Sequence, residues 1–201
     1  MLLEKLTNIK LILASNSPRR QSLMAEAGLE YELSVPAENE EEFPEDLYSG
    51  DVPAYLAKRK AESFEGQIEK NEIVITADTL VILDERVLGK PGNYKEAFEM
   101  LSALSGCKHK VITGVCIKSR KKEVVFSDST DVWFKKLSEK EIHYYIEEFK
   151  PYDKAGAYGI QEWIGYIGVE RIEGSFFNVM GLPIHMVYSK LEKFIGDTGL
   201  S

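Results

Sequence analysis

Strand and helix signals alternate along the chain, and this alternation restricts the fold more than any other feature. The first unit is "LILASNSPRRQSLMAEAG", Leu11 to Gly28. Leu11-Ile12-Leu13 reads as the end of a buried strand. Ser15 or Ser17 suits a helix N-cap, Pro18 the first helical position and Gly28 the exit. "VPAYLAKRKAESFEG" reads as a helix with Pro53 near its start and Gly66 at its end. "EIVITADTLVIL", Glu72 to Leu83, is an apolar, β-branched strand interrupted by one acid. "NYKEAFEMLSALSG" spaces Ala97, Met100, Leu101 and Leu104 for a helical face and stops at Gly106. "KVITGVCIKSRKKEVVFSDSTDVWF" reads as two or three strands with "SRKK" at a turn. Ser138 with Glu141 forms a capping box that opens the helix "EKEIHYYIEEF". A Gly-rich segment follows from Gly156 to Gly181, and "LPIHMVYSKLEKF" supplies a last amphipathic helix. The class is α/β. No repeat or low-complexity linker interrupts it, so residues 1–201 read as a single domain, with Ser138 to Gly156 as the place where a second lobe would be inserted.

Composition narrows the function. A net charge of −8 opposes binding to a nucleic-acid polymer, which leaves a basic footprint. No apolar run approaches the roughly 20 residues needed to span a bilayer, so no membrane is expected. Glu4, Lys5, Thr7, Asn8 and Lys10 break up the N-terminal stretch, leaving no signal-peptide core. Cys107 and Cys116 make neither a zinc knuckle nor a CxxC pair and read as reduced structural thiols. The expectation is a cytoplasmic protein, and a homodimer is compatible with the sequence. His109, His143 and His185 form no metal-binding pair, and no G-x-S-x-G elbow occurs.

Four clusters carry chemistry. Arg19 and Arg20 fall in the first turn of their helix, where positive charge costs roughly 0.3–1 kcal/mol per residue against the macrodipole. A bound anion would reverse that sign, with the Ser15 and Ser17 hydroxyls, backbone N–H groups and two guanidinium forks converging on a polyphosphate. The alternative is an ordinary capped helix with solvated arginines. If the misfit is real, deleting Arg20 should leave the empty protein as stable as before or slightly more so. No Walker A loop is present. Asp78, alone in an apolar run, must be hydrogen-bonded, paired or metal-bound. It reads as a general base or Mg²⁺ ligand, or else as a capping residue at a strand end. Glu38, Glu40, Glu41 and Glu42 ordinarily mean a solvated loop, yet one of them could join Asp78 around a divalent ion, which typically takes one or two carboxylates plus phosphate oxygens. Lys90, in "LGKPG", suits a point charge for phosphate. "DKAGAYGIQ", Asp153 to Gln161, offers small residues for close backbone approach and an amide at its end, or simply a structural turn.

With these residues in view, the chain resembles the Maf family of nucleoside triphosphate pyrophosphatases from about Leu11 to Leu191. The matching pieces, in family order, are "LASNSPRR", "KRKAES", "ADTLVIL", "VLGKP", "EAFEMLSALSGCKHKVITGV", "LSEKEIHYYI", "DKAGAYGIQ" and "IEGSFFNVMGLP". "DKAGAYGIQ" is similar to the subfamily acting on dTTP and UTP. The resemblance implies an elongated mixed sheet flanked by helices, with two lobes and a nucleotide cleft between them. It also implies a nucleoside triphosphate as the partner and Mg²⁺ or Mn²⁺ as the cofactor. Residue by residue, it implies Asp78 as proton acceptor, with Glu40 beside it at the metal. Ser15, Arg19, Arg20, Lys60 and Lys90 match phosphate-contacting positions, and Arg19, Thr79 and Gln161 match positions tied to substrate choice. The family more often has glycine after Gln161, where this chain has Glu162-Trp163. Rival readings are a modified nucleotide such as 7-methyl-GTP as substrate, or a nucleotide-binding regulator of septum formation.

Overall fold

The apolar runs read from the sequence assemble into one mixed sheet. The computed structural model describes residues 1–34 and 42–198. Strands β1 (Lys10–Leu13), β2 (Glu32–Leu33), β3 (Glu72–Leu83), β4 (Arg86–Leu88), β5 (Lys108–Lys118), β6 (Glu123–Phe134) and β7 (Val169–Glu173) form a seven-stranded sheet ordered β2-β1-β3-β5-β6-β7, with β4 on β3. β1 runs parallel to both neighbours, with Ile12 opposite Val74 and Leu13 opposite Ile75 on β3. β4 and β7 are antiparallel to their partners. Helices α1 (Leu2–Lys5), α2 (Pro18–Glu26), α3 (Val52–Glu62), α4 (Tyr94–Leu104), α5 (Glu139–Phe149), α6 (Trp163–Gly168), α7 (Phe176–Met180) and α8 (Ile184–Thr198) flank it. The chain is therefore α/β, as its alternating signals require.

Local chemistry explains the element ends. α4 starts because Asn93 accepts from the Glu96 N–H at 3.0 Å, and its face buries Ala97, Leu101 and Leu104 completely. Burial of each leucine is worth about 1.5–3 kcal/mol. α5 opens on the expected capping box: Ser138 Oγ accepts from the Glu141 N–H, and Glu141 Oε2 accepts from the Ser138 N–H at 2.7 Å. Lys135 adds an ion pair at 2.8 Å, and together these bonds hold the Glu141 carboxyl down at about 2. The stretch from Lys110 to Phe134 lies in two strands, β5 and β6. They meet at a tight turn in which the Ser119 N–H donates to the Lys122 carbonyl at 2.8 Å.

By packing, the chain divides into two compact units. The first takes Met1–Asp78, Thr113–Asp128 and Gly181–Ser201; the second takes Thr79–Ile112 and Ser129–Met180. The division falls within β3 and the β5–β6 pair, not at Ser138 to Gly156. In the first unit, Ile12, Ala14, Phe64, Ile68 and Val74 form one apolar cluster, and Ala57, Ala61 and Cys116 another. The second unit packs around Val81, Leu101, Val132, Tyr145 and Ile164. Among the described residues, no helix is long and apolar enough to cross a membrane.

Candidate active site

In the first unit, β1 ends at Leu13 and delivers a short loop to α2. Ser17 occupies the N-cap position without a side-chain cap bond, and Pro18 takes the first turn as expected. The buried Ser15 does the local work: its Oγ accepts from the Ser17 N–H at 3.2 Å, and its carbonyl accepts from Gln21 Nε2 at 3.3 Å. Arg19 is half-buried at the same helix start. Arg20 is placed by bonds that its sequence neighbours do not reveal. Its Nε donates to the Gly181 carbonyl at 2.7 Å and its Nη1 to the Ala77 carbonyl at 2.9 Å, with Ser15 Oγ at 3.4 Å. Contrary to the expectation from its spacing, Arg20 is therefore no misfit at its helix start. Its charge meets carbonyl dipoles from two distant segments, which offset the helix dipole without any bound anion.

Asp78 lies inside β3, not at a strand end, and is 4% exposed. Lys60 from α3 places its ammonium on Asp78 Oδ1. Asp78 Oδ2 is buried and has no hydrogen-bond partner among the described residues. A buried carboxylate is tolerated only when paired, and here one oxygen is anchored while the other is left as an acceptor. The reach of Lys60 depends on how α3 is seated. Thr76 Oγ1 donates to the Ala57 carbonyl at 2.6 Å, and Gly114 of β5 lies so close to the start of α3 that a Cβ there would sit 2.2 Å from Ala54 N. Thr76 and Gly114 escaped the sequence reading, because helix-to-sheet contacts leave no local signal.

Glu40, with Glu38 and Glu41, lies outside the described residues. Among the described residues, no group of three or more His, Cys, Asp or Glu side chains is gathered as if to hold a metal. A closed protein cage is therefore absent there. A lone carboxylate with an open oxygen does fit Mg²⁺, which typically takes one or two carboxylates and draws its other ligands from substrate and water.

In the second unit, Thr79 follows Asp78 on β3 and is half-buried, while Lys90 is exposed in the turn after β4. That turn is tied to the "DKAGAYGIQ" segment: the Gly156 N–H donates to the Gly89 carbonyl at 3.0 Å. Gly156 has φ +65° with a Val81 methyl 2.9 Å from where a Cβ would be, so glycine answers both conformation and space. Gln161 is half-buried, yet its Oε1 is buried with no hydrogen-bond partner among the described residues. Glu162, which departs from the pattern at the end of this segment, is absorbed by its surroundings. Its carboxylate takes the Tyr145 hydroxyl on Oε2 and Lys154 Nζ, at 3.2 Å, on Oε1. Trp163 packs edge-on to Tyr144 at 4.8 Å. Tyr145 and Lys154 were not singled out individually from the sequence, because their partners lie 17 and 8 residues away along the chain.

The chain belongs to the Maf-like protein family, whose model matches residues 10–194. It is 50% identical over 193 residues to a dTTP/UTP pyrophosphatase of Parabacteroides distasonis, covering 96% of this chain and 100% of that protein. It is also 50% identical over 188 residues to the dTTP/UTP pyrophosphatase of Flavobacterium psychrophilum, with 94% and 96% covered. The Porphyromonas gingivalis W83 protein of the same name is 48% identical over 195 residues, with 96% and 98% covered. Among solved structures, a nucleoside-triphosphatase / dITP/XTP pyrophosphatase from Mycobacterium abscessus is similar at a TM-score of 0.40 and 15% identity, over 64% of this chain and 76% of that one.

Proposed function

We propose that the protein hydrolyses nucleoside triphosphates, dTTP and UTP foremost, to the monophosphate and pyrophosphate. The observation that carries this reading is the Asp78 carboxylate, buried, fixed through one oxygen by Lys60 and, among the described residues, without a hydrogen-bond partner at the other. A water placed against the Asp78 carboxylate loses its proton to it as the water oxygen attacks the α-phosphorus, and pyrophosphate departs with the bridging oxygen. Lys60 holds the carboxylate in one rotamer, so the accepting lone pair stays aimed while the proton moves. Ser15, Ser17, Arg19, Arg20, Lys60 and Lys90 supply hydroxyl donors and cationic charge for the triphosphate. That charge stabilises what builds up on the leaving group. A divalent cation, Mg²⁺ or Mn²⁺, would be held by Asp78 together with Glu40, and when bound it neutralises phosphate charge and polarises the P–O bonds.

Substrate choice rests on Thr79 and Gln161. The Gln161 Oε1, without a hydrogen-bond partner among the described residues, is an acceptor in need of a donor. The N3–H of uracil or thymine, flanked by carbonyl acceptors, suits a glutamine amide, whereas cytosine has no N3–H and carries its amino donor at position 4, a different pattern for the same amide. The high identity to proteins named dTTP/UTP pyrophosphatases supports the same choice. The test is pyrophosphate release by the purified chain over a panel of dTTP, UTP, CTP, GTP and 7-methyl-GTP, repeated with Asp78→Asn. The near-isosteric change removes the proton acceptor and should lower the rate on the best substrate by on the order of 10²–10⁴. Turnover by Asp78→Asn within about threefold of the unmodified chain would end the assignment of Asp78, and CTP or a guanine nucleotide as best substrate would end that of Gln161.

A further inference from the structure

The turn that carries Gln161 is gripped from both sides by one buried phenol. Tyr145 Oη accepts the Gly159 N–H at 3.0 Å and donates to Glu162 Oε2, so the residues flanking Ile160 and Gln161 are bonded to the same oxygen. Glu162 N–H also closes the turn on the Gly159 carbonyl at 3.0 Å. The second carboxylate oxygen of Glu162 meets Lys154, which is itself buried and reaches Asp153 Oδ1 at 2.6 Å. Gly165 lies so close to the Ile160 carbonyl that a Cβ there would be 1.8 Å away, which fixes the start of α6 against the same turn. Burial, and then the Glu162 charge, push the Tyr145 hydroxyl above the ordinary phenol range, so it remains a donor. In the middle of these fixed groups sits the buried Gln161 Oε1, which has no hydrogen-bond partner among the described residues.

We propose that Tyr145, Glu162 and Lys154 form a positioning network that holds the Gln161 amide where it selects the pyrimidine base. The inference rests on the reading of Gln161 as the base contact. A carboxylate at position 162 then has a use. With both oxygens bonded, it ties α5 and the Lys154 segment to the turn, and the amide next to it cannot rotate away with its backbone. Discrimination by a buried polar group depends on its placement, and a misplacement of about 1 Å costs on the order of 10²-fold.

The experiment measures kcat/KM for dTTP and for CTP in five proteins: the unmodified chain, Tyr145→Phe, Glu162→Ala, Gln161→Ala, and the double variant Gln161→Ala/Glu162→Ala. Tyr145→Phe keeps the ring in the core and removes only the hydroxyl, so it serves if Glu162→Ala does not fold. The expected result is a fall of about 10- to 10²-fold in the dTTP/CTP ratio for Tyr145→Phe and Glu162→Ala. In the double variant the ratio should fall no further than in Gln161→Ala, because the network acts through that amide. A network that only stabilises the fold would lower the melting temperature and leave the ratio within about twofold, and that outcome overturns the proposal. Multiplicative losses in the double variant would overturn it as well. If the unmodified chain shows no preference for dTTP over CTP, the reading of Gln161 has failed instead, and the two failures are distinct.

Discussion

Replacing Arg20 with alanine removes two charge-assisted hydrogen bonds to backbone carbonyls, at 2.7 Å to Gly181 and 2.9 Å to Ala77. Hydrogen bonds involving a charged group are worth about 1.5–3 kcal/mol each, and the half-buried setting of Arg20 places these at the low end. Relief of repulsion at the start of α2 returns roughly 0.3–1 kcal/mol. The net loss is therefore about 2 kcal/mol, which for a chain of this size lowers the melting temperature by about 4–8 °C. Differential scanning calorimetry of the nucleotide-free protein checks this directly. Arg20→Lys separates shape from charge: it retains the cation but not the fork, so most of the loss should persist. A melting temperature for Arg20→Ala equal to or above that of the unmodified chain would refute the reasoning and restore the picture of an arginine poised only for an anion.

Two further outcomes follow from buried titrating groups. His109 is 2% exposed, and burial, opposed in part by Asp131, holds its pKa at about 4 against an ordinary 6.5. Below pH 6.5 the unfolded chain takes a proton that the folded chain refuses until about pH 4, so stability is full above 6.5 and is lost through that window. The loss due to this group is about 2 kcal/mol at pH 5, and urea melts at pH 7 and 5 should show it as the difference between the unmodified chain and His109→Phe. Cys116 is fully buried and its thiol is pushed up to about 12, so a thiol reagent at pH 8 should leave it unlabelled in the native protein and label it in denaturant, as read by mass spectrometry.

How much of this could be read in advance depended on range. α4 and α5 were legible because their caps and apolar spacing lie within four residues, at Asn93–Glu96 and Ser138–Glu141. Asp78 was legible because an acid in the middle of an apolar strand run, away from its ends, is a chemical anomaly. The Gly156 to Gly181 stretch was not legible in detail. It read only as a Gly-rich segment with no elements assigned, whereas α6, β7 and α7 lie within it, and β7 exists by pairing with Asp131 to Phe134 of β6. The partners of the site side chains were hidden for the same reason. Lys60 meets Asp78 across 18 residues of chain, Tyr145 meets Glu162 across 17, and Arg20 meets Gly181 across 161. The resemblance named Lys60 and Arg20 as phosphate contacts. Their structural bonds belong to the fold and could be found only there.

Gly114 gives the Lys60–Asp78 pair a mechanical origin. The helix bearing the lysine rests directly on the strand at a point where backbone meets backbone, with a Cβ position only 2.3 Å from the Pro53 carbonyl oxygen. Such packing is stiff, because no side chain lies between the surfaces to yield or repack. The glycine acts as a gauge: the thickness of one missing methyl group sets how far an ammonium on the next turns of α3 must reach to touch a carboxylate on the neighbouring strand. Any side chain at 114 lifts the helix first and parts the ion pair second. In a mutational survey scored by activity, this position would behave like an active-site residue while sitting far from Asp78 in sequence and carrying no functional group at all.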